Sequence, residues 1–193
     1  MTVWLKACIQ CDPFLFLSYS VHCRSMCCPG KLLAQTDFSQ VFVLSDKPDL
    51  VLKQAHRDRP EGRKYLAHEL NMYNHLKGIT DVPCLLMFDK SPEGSYFVTD
   101  HGMDLSTAGA EWPKYGKGYL NNLVASFTVS ALAILTNVHG QQVIHRDIKP
   151  ANFIITNNGL HLIDFGSSIL AKNPAVREPH PELPYTLSFA SPQ

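Results

Sequence analysis

The sequence predicts an α+β fold in which a small β-rich lobe with one helix precedes a second, incompletely helical lobe. Three observations carry this expectation. Short apolar runs separated by polar turns crowd the first hundred residues, and a single helical period interrupts them between Glu61 and Lys77. From Tyr119 the apolar positions recur every three to four residues over the longest helical stretch in the chain. The 193 residues, 45% of them hydrophobic, suffice for one ordinary domain or for two small lobes sharing a cleft.

The elements follow in chain order. Leu32-Leu33 leads into the strand pattern Val41-Phe42-Val43-Leu44, then a polar turn at Ser45-Asp46-Lys47-Pro48-Asp49, then Leu50-Val51-Leu52-Lys53. The helix from Glu61 to Lys77 sets Leu66, Leu70, Tyr73 and Leu76 on one stripe with Glu69 at its margin. Cys84 to Phe88 and Tyr96-Phe97-Val98-Thr99 read as further strands around the turn Ser91-Pro92-Glu93-Gly94. Leu120, Leu123, Phe127, Ala131, Ile134 and Val138 define the long helix, and Gly140 is expected to stop it in a left-handed cap. After Val143-Ile144 and a polar loop, Phe153-Ile154-Ile155 and Leu160-His161-Leu162-Ile163 form a hairpin around Asn157-Asn158-Gly159. The last thirty residues are rich in Pro and Ser and have no period.

Lys and Arg (17) balance Asp and Glu (17), so no basic field draws the chain to nucleic acid or anionic lipid. Neither partner is expected, and the oligomeric state is not specified. Residues 1–30 stand apart as an extension of unassigned role, holding Cys8, Cys11, Cys23, Cys27 and Cys28 of the six cysteines. The spacings Cys8-x-x-Cys11 and Cys23-x-x-x-Cys27 resemble metal knuckles. The apolar Pro13-Phe14-Leu15-Phe16-Leu17 between them argues instead for free thiols in a reducing compartment. Asp12 and Pro13 interrupt an apolar run too short for a bilayer span, so an intracellular, cytoplasmic, soluble protein is expected.

The chemistry concentrates in His145-Arg146-Asp147-Ile148-Lys149-Pro150-Ala151-Asn152, which matches H-R-D-x-K-P-x-N at every fixed position between a helix and a hairpin. Asp164-Phe165-Gly166 follows across that hairpin. Together these motifs resemble eukaryotic-type protein kinases of the serine/threonine class, and the resemblance implies a bilobal fold, with the β-rich lobe at about 31–100 and a partial helical lobe at about 101–193. It also implies ATP and Mg²⁺ as cofactors, a protein as substrate, and phosphoryl transfer to serine or threonine as the reaction. Asp147 would orient the hydroxyl and accept its proton, Lys149 would balance phosphoryl charge, and Asn152 and Asp164 would hold the metal.

Within that resemblance Lys53 is similar to the strand lysine that contacts the α- and β-phosphates, and Glu69 to its helix partner. Taken alone, each reads equally as a solvated charge; the catalytic loop decides. Thr99 corresponds to the back of the adenine pocket, and Asp100, His101 and Gly102 to the linker whose backbone meets the base. Val41, Val51 and Ile154 correspond to apolar cleft walls, or equally to core residues.

Two departures accompany the resemblance. The glycine loop G-x-G-x-x-G-x-V aligns with Ala34-Gln35-Thr36-Asp37-Phe38-Ser39-Gln40-Val41, with Ala34, Thr36 and Ser39 replacing all three glycines. Weaker nucleotide affinity is expected, and a nucleotide-binding or scaffolding pseudokinase is the alternative reading. At the end, Ser191-Pro192-Gln193 stands where A-P-E is usual, and a chain cut short after its activation segment is expected. Ser167 and Ser168 lie too early in that segment for a phosphate switch acting through Arg146, and Thr186 aligns with the residue that supports its substrate-binding end and is expected to be structural, so Arg146 is expected to brace the loop instead.

Overall fold

The computed structural model describes residues 28–56, 59–91 and 94–171. The proposed cysteine knuckles and the expected end of the activation segment, Thr186 to Gln193, lie outside the described residues. The chain divides into two compact units, one running up to Leu70 and resuming over Cys84–His101, the other comprising Asn71–Pro83 and everything from Gly102.

The first unit is an antiparallel sheet of five strands in the order β1-β2-β3-β5-β4. These are β1 (Pro29–Gln35), β2 (Ser39–Leu44), β3 (Lys47–Ala55), β4 (Met87–Ser91) and β5 (Gly94–Asp100). Helix α1 (Pro60–His75) opens on a proline, whose fixed φ and missing N–H suit a first helical position. Residues opposite one another on a ladder share a face. The pairings Val41↔Lys53↔Phe97 and Val43↔Val51↔Thr99 therefore gather these six residues on one side of the sheet. Leu44, Leu52 and Val98 form a core cluster with Leu50, Leu86, Met87 and Tyr96 against it.

Two boundaries differ from the sequence reading. The turn expected over Ser45–Asp49 is shorter, because β3 begins at Lys47 and contains Pro48. A register break between Val43 and Leu44 absorbs the extra residues, and pairing with β5 begins only at Leu50, so the missing proline N–H leaves no rung unmade. The strand expected from Cys84 begins at Met87, although the Leu86 N–H already donates to the Val98 carbonyl at 2.9 Å.

The second unit holds β6 (Met103–Asp104), α2 (Leu105–Glu111), α3 (Lys117–Gly140), β7 (Val143–Ile144), β8 (Phe153–Thr156), β9 (Gly159–Leu162) and β10 (Ile169–Leu170). β6, β8 and β9 form one sheet and β7 pairs with β10. The segment after α1 belongs here because Asp81 is held twice: its carboxylate accepts from Asn137 Nδ2 at 2.6 Å and its carbonyl from the Leu162 N–H at 3.0 Å. The α3 stripe is the one the sequence shows, with Ile134 and Val138 buried and Leu120, Leu123, Phe127 and Ala131 half-buried. Trp112 stacks on Phe127 at 5.1 Å. Val124, Val129 and Leu132 stay exposed. By length and composition α3 is also apolar enough to cross a membrane, and only Ile134 and Val138 along it are buried.

Gly140 is not the left-handed cap that was expected. It ends the helix, and the positive φ falls on Gln142 at 60°. The Gln142 N–H donates to His139, and its carbonyl accepts from the Ala171 N–H at 2.7 Å, which fixes the bend into β7 two residues later. Helix α2 is an element the sequence reading lacked. Asp104 caps it, accepting from the Thr107 N–H at 2.9 Å and the Thr107 hydroxyl at 2.7 Å.

Candidate active site

The loop from His145 to Asn152 is tied together around the Asp147 carboxylate. Asp147 is buried, and its Oδ2 receives Lys149 Nζ at 2.8 Å and Asn152 Nδ2 at 3.0 Å. The same Asn152 nitrogen donates to the Asp147 carbonyl at 2.7 Å. The Asn152 backbone accepts from Ile163 and donates to Lys149, both at 2.9 Å. A carboxylate between an ammonium and an amide donor is oriented and charge-balanced, as a base that must meet a hydroxyl requires. His145 sits beneath it, buried, donating from Nε2 to the Ile163 carbonyl at 2.9 Å and accepting at Nδ1 from the Asp147 N–H at 3.3 Å. Burial holds its pKa below the usual histidine value and outweighs the Ile163 hydrogen bond and the nearby Asp164 and Asp147 charges that act to raise it.

Asp164 adopts the left-handed region, φ 66° and ψ 64°, and is half-buried. Its N–H donates to the Tyr73 hydroxyl over a long 3.4 Å. Phe165 is fully buried and meets Tyr73 edge-on at 5.2 Å and His145 edge-on at 4.9 Å. The sequence showed Tyr73 only as a core position; its place one turn beyond Glu69 was the available signal. Ser167 and Ser168 are buried, and the Ser168 hydroxyl donates to the His145 carbonyl at 3.3 Å. Thr186 lies outside the described residues. Arg146, expected to brace the loop, has its Nη1 buried with no hydrogen-bond partner among the described residues, on a backbone at φ 70°.

A magnesium ion takes hard oxygen donors. Asn152 fits, since its nitrogen is committed to Asp147 and its oxygen is the end left for a cation. Asp164 supplies a partly exposed carboxylate. Among the described residues no group of three or more His, Cys, Asp or Glu forms a self-sufficient metal cage.

In the first unit Lys53 Nζ lies 2.7 Å from Glu69 Oε2, with the two side chains 12% and 1% exposed. Val51, Lys53 and Thr99 share one sheet face. The Thr99 hydroxyl is buried and has no hydrogen-bond partner among the described residues, a polar group left for something outside the chain. Ala34 is exposed opposite Val41, and Asp100 pairs with Leu50. His101 departs from its expected role: its N–H already donates to the Asp49 carbonyl at 2.8 Å and its ring to the Pro48 carbonyl at 2.7 Å, so that amide is not available to a base. In the second unit Gly102 is required, because a Cβ there would lie 2.5 Å from the Ile155 carbonyl. Ile154 is buried on β8 between Asp104 and His161.

The model of the protein kinase domain matches residues 35–193, and the chain belongs to that family. It is similar to the casein kinase 1-like protein HD16 of Oryza sativa subsp. japonica, 28% identical over 127 residues, covering 63% of this chain and 18% of that protein. It is 31% identical over 163 residues to the serine/threonine-protein kinase B of Synechocystis sp., covering 74% of this chain and 28% of the relative. An Aurora kinase of Eremothecium gossypii is 38% identical over 80 residues, 40% of this chain and 21% of that one. The chain thus spans under a third of the length of these relatives.

Proposed function

We propose that this chain transfers the γ-phosphoryl group of ATP to serine or threonine hydroxyls of a protein substrate. The observation that carries the reading is the buried Asp147 carboxylate, held by Lys149 and Asn152 on one oxygen. Asp147 orients the acceptor hydroxyl and takes its proton as the oxygen bonds to the γ-phosphorus. The bond from that phosphorus to the β–γ bridging oxygen then breaks, leaving ADP. Lys149 offsets charge on the moving group, and Lys53, steadied by Glu69, contacts the α- and β-phosphates. Asn152 Oδ1 and Asp164 would hold Mg²⁺, which would supply electrostatic stabilisation of phosphate charge. Val41, Val51 and Thr99 offer the base one face of the sheet. Cys28 and Cys84, exposed and not joined in a disulfide, suit the reducing intracellular setting we assign to the protein.

One observation favours a second reading, a kinase-like module that binds nucleotide without turnover: the Thr36, Phe38 and Ser39 amides of the degenerate glycine loop are occupied within the loop itself. Radiolabelled ATP offered with Mg²⁺ to a generic basic protein and to small alcohols separates the two. Label in phosphoserine or phosphothreonine supports the kinase, and label in the alcohols alone contradicts the protein substrate. Nucleotide binding with no transfer supports the second reading.

A further inference from the structure

The segment that replaces the glycine loop is closed on itself. Within the turn between β1 and β2 the Thr36 hydroxyl accepts from the Phe38 N–H at 3.2 Å and the Ser39 N–H at 3.1 Å, and the Thr36 N–H donates to the Ser39 carbonyl at 2.9 Å. Three amides that a glycine loop would turn toward phosphate are consumed here. The turn is also fastened to the β3–α1 connection. His56 donates from Nε2 to the Thr36 carbonyl at 2.8 Å and from its backbone to the Phe38 carbonyl at 3.1 Å. Arg59 reaches the Asp37 carbonyl and carboxylate, each at 3.3 Å. Gly62 lets α1 come this close, since a Cβ there would stand 2.4 Å from the Phe38 carbonyl oxygen.

At the tip, Phe38 stacks on Tyr65 of α1, centroids 5.0 Å apart and planes 14° from parallel. Lys53 Nζ lies 5.9 Å from the Tyr65 centroid while it pairs with Glu69, one turn further along the same helix. An ammonium at that distance is attracted to the ring face. Turn tip, tyrosine, lysine and glutamate therefore form one continuous set of contacts inside the first unit.

We propose that the 36–39 turn is a fixed strut and that Tyr65 is a positioning residue: stacked on Phe38, its ring holds the Lys53 ammonium against Glu69, ready for phosphate. The role rests on the kinase reading for what Lys53 contacts, but the contacts themselves exist without nucleotide. The chain thereby exchanges a hinged cover with free amides for a latched loop that stabilises the lysine.

The test is acylation of lysines in the nucleotide-free full chain by a small amine-reactive reagent. Lys53 modification is read by peptide mass spectrometry against exposed Lys31 as internal control. Tyr65→Leu is expected to raise the Lys53 to Lys31 ratio at least fivefold, and Phe38→Ala at least twofold. Tyr65→Phe, which keeps the ring, should stay within twofold of wild type, a rescue that a general loss of structure does not give. Phe38→Ala alters only the half-buried turn tip and serves if Tyr65→Leu does not fold. Unchanged Lys53 reactivity in folded Tyr65→Leu or in Phe38→Ala overturns the proposal, as does loss of protection in Tyr65→Phe. Because no nucleotide is present, a chain that labels as expected yet transfers no phosphate keeps the strut and contradicts only the kinase reading.

Discussion

Replacing Lys53 with methionine isolates what holds the lysine proposed to contact phosphate. At 2.7 Å and an effective dielectric constant of about 20, the attraction between the two charges is about 6 kcal/mol, offset in large part by the cost of removing them from water. The asymmetry matters more than that net balance. Glu69 is 1% exposed, so Lys53→Met takes away the cation that balances a buried carboxylate, and the expected loss of stability is about 3–5 kcal/mol. Removing both charges in Lys53→Met/Glu69→Leu removes that carboxylate too and should return the chain to within about 1–2 kcal/mol of wild type. Urea unfolding of the wild type, both single variants and the double variant measures this directly, with the slope checked for constancy across the set. If the single losses add within about 0.5 kcal/mol, the pair is not coupled and the buried-pair reasoning is wrong.

Asp164→Asn should abolish Mg²⁺-dependent nucleotide binding while Asn152→Ala weakens it, since an amide does not replace a carboxylate facing a dication; equal affinity in wild type and Asp164→Asn by titration calorimetry removes the metal assignment. Tyr73→Phe should leave the melting temperature close to wild type, because the ring packing on Phe165 remains. It should raise the Mg²⁺ concentration needed for half-maximal nucleotide binding severalfold through loss of the hydroxyl that receives the Asp164 N–H. His145 has a pKa lowered in the fold, so the unfolded chain takes up the extra proton first, near 6.5, and stability falls as pH drops below that value. The contribution is bounded by about 1.4 kcal/mol per pH unit, and the stability gap between wild type and His145→Asn should narrow on acidification; a gap that widens contradicts the buried neutral histidine.

The parts of the account legible in the sequence are those whose chemistry is local. His145 to Asn152 and Asp164 to Gly166 are recognised by residue types at fixed spacing, and the β8–β9 hairpin that separates them is written in Asn157-Asn158-Gly159. The strand alternation of Val51 and Lys53 likewise put them on one face. What escaped is decided by long-range partners. The cap at Gln142 depends on Ala171, and the withdrawal of the His101 amide depends on Asp49. Pro48 looked like a turn residue because the register break that accommodates it is set by β2. Helix α2 escaped because Ser106, Thr107 and Gly109 are poor helix formers, although Asp104 ahead of Leu105 was a readable cap. The loss of three glycines was visible, but the sequence did not reveal that Thr36 would close the turn or that Tyr65 would receive Phe38.

Whether Asp147 makes this chain a phosphoryl-transfer catalyst is measured by comparing wild type with Asp147→Asn for transfer of the radiolabelled γ-phosphoryl group from ATP to protein at saturating Mg²⁺. The account predicts label on serine or threonine with wild type and a loss of at least about a hundredfold in rate for Asp147→Asn, the scale of a lost general base, with nucleotide affinity little changed. Equal transfer by the two proteins, or nucleotide binding by the wild type with no transfer to any hydroxyl, contradicts it.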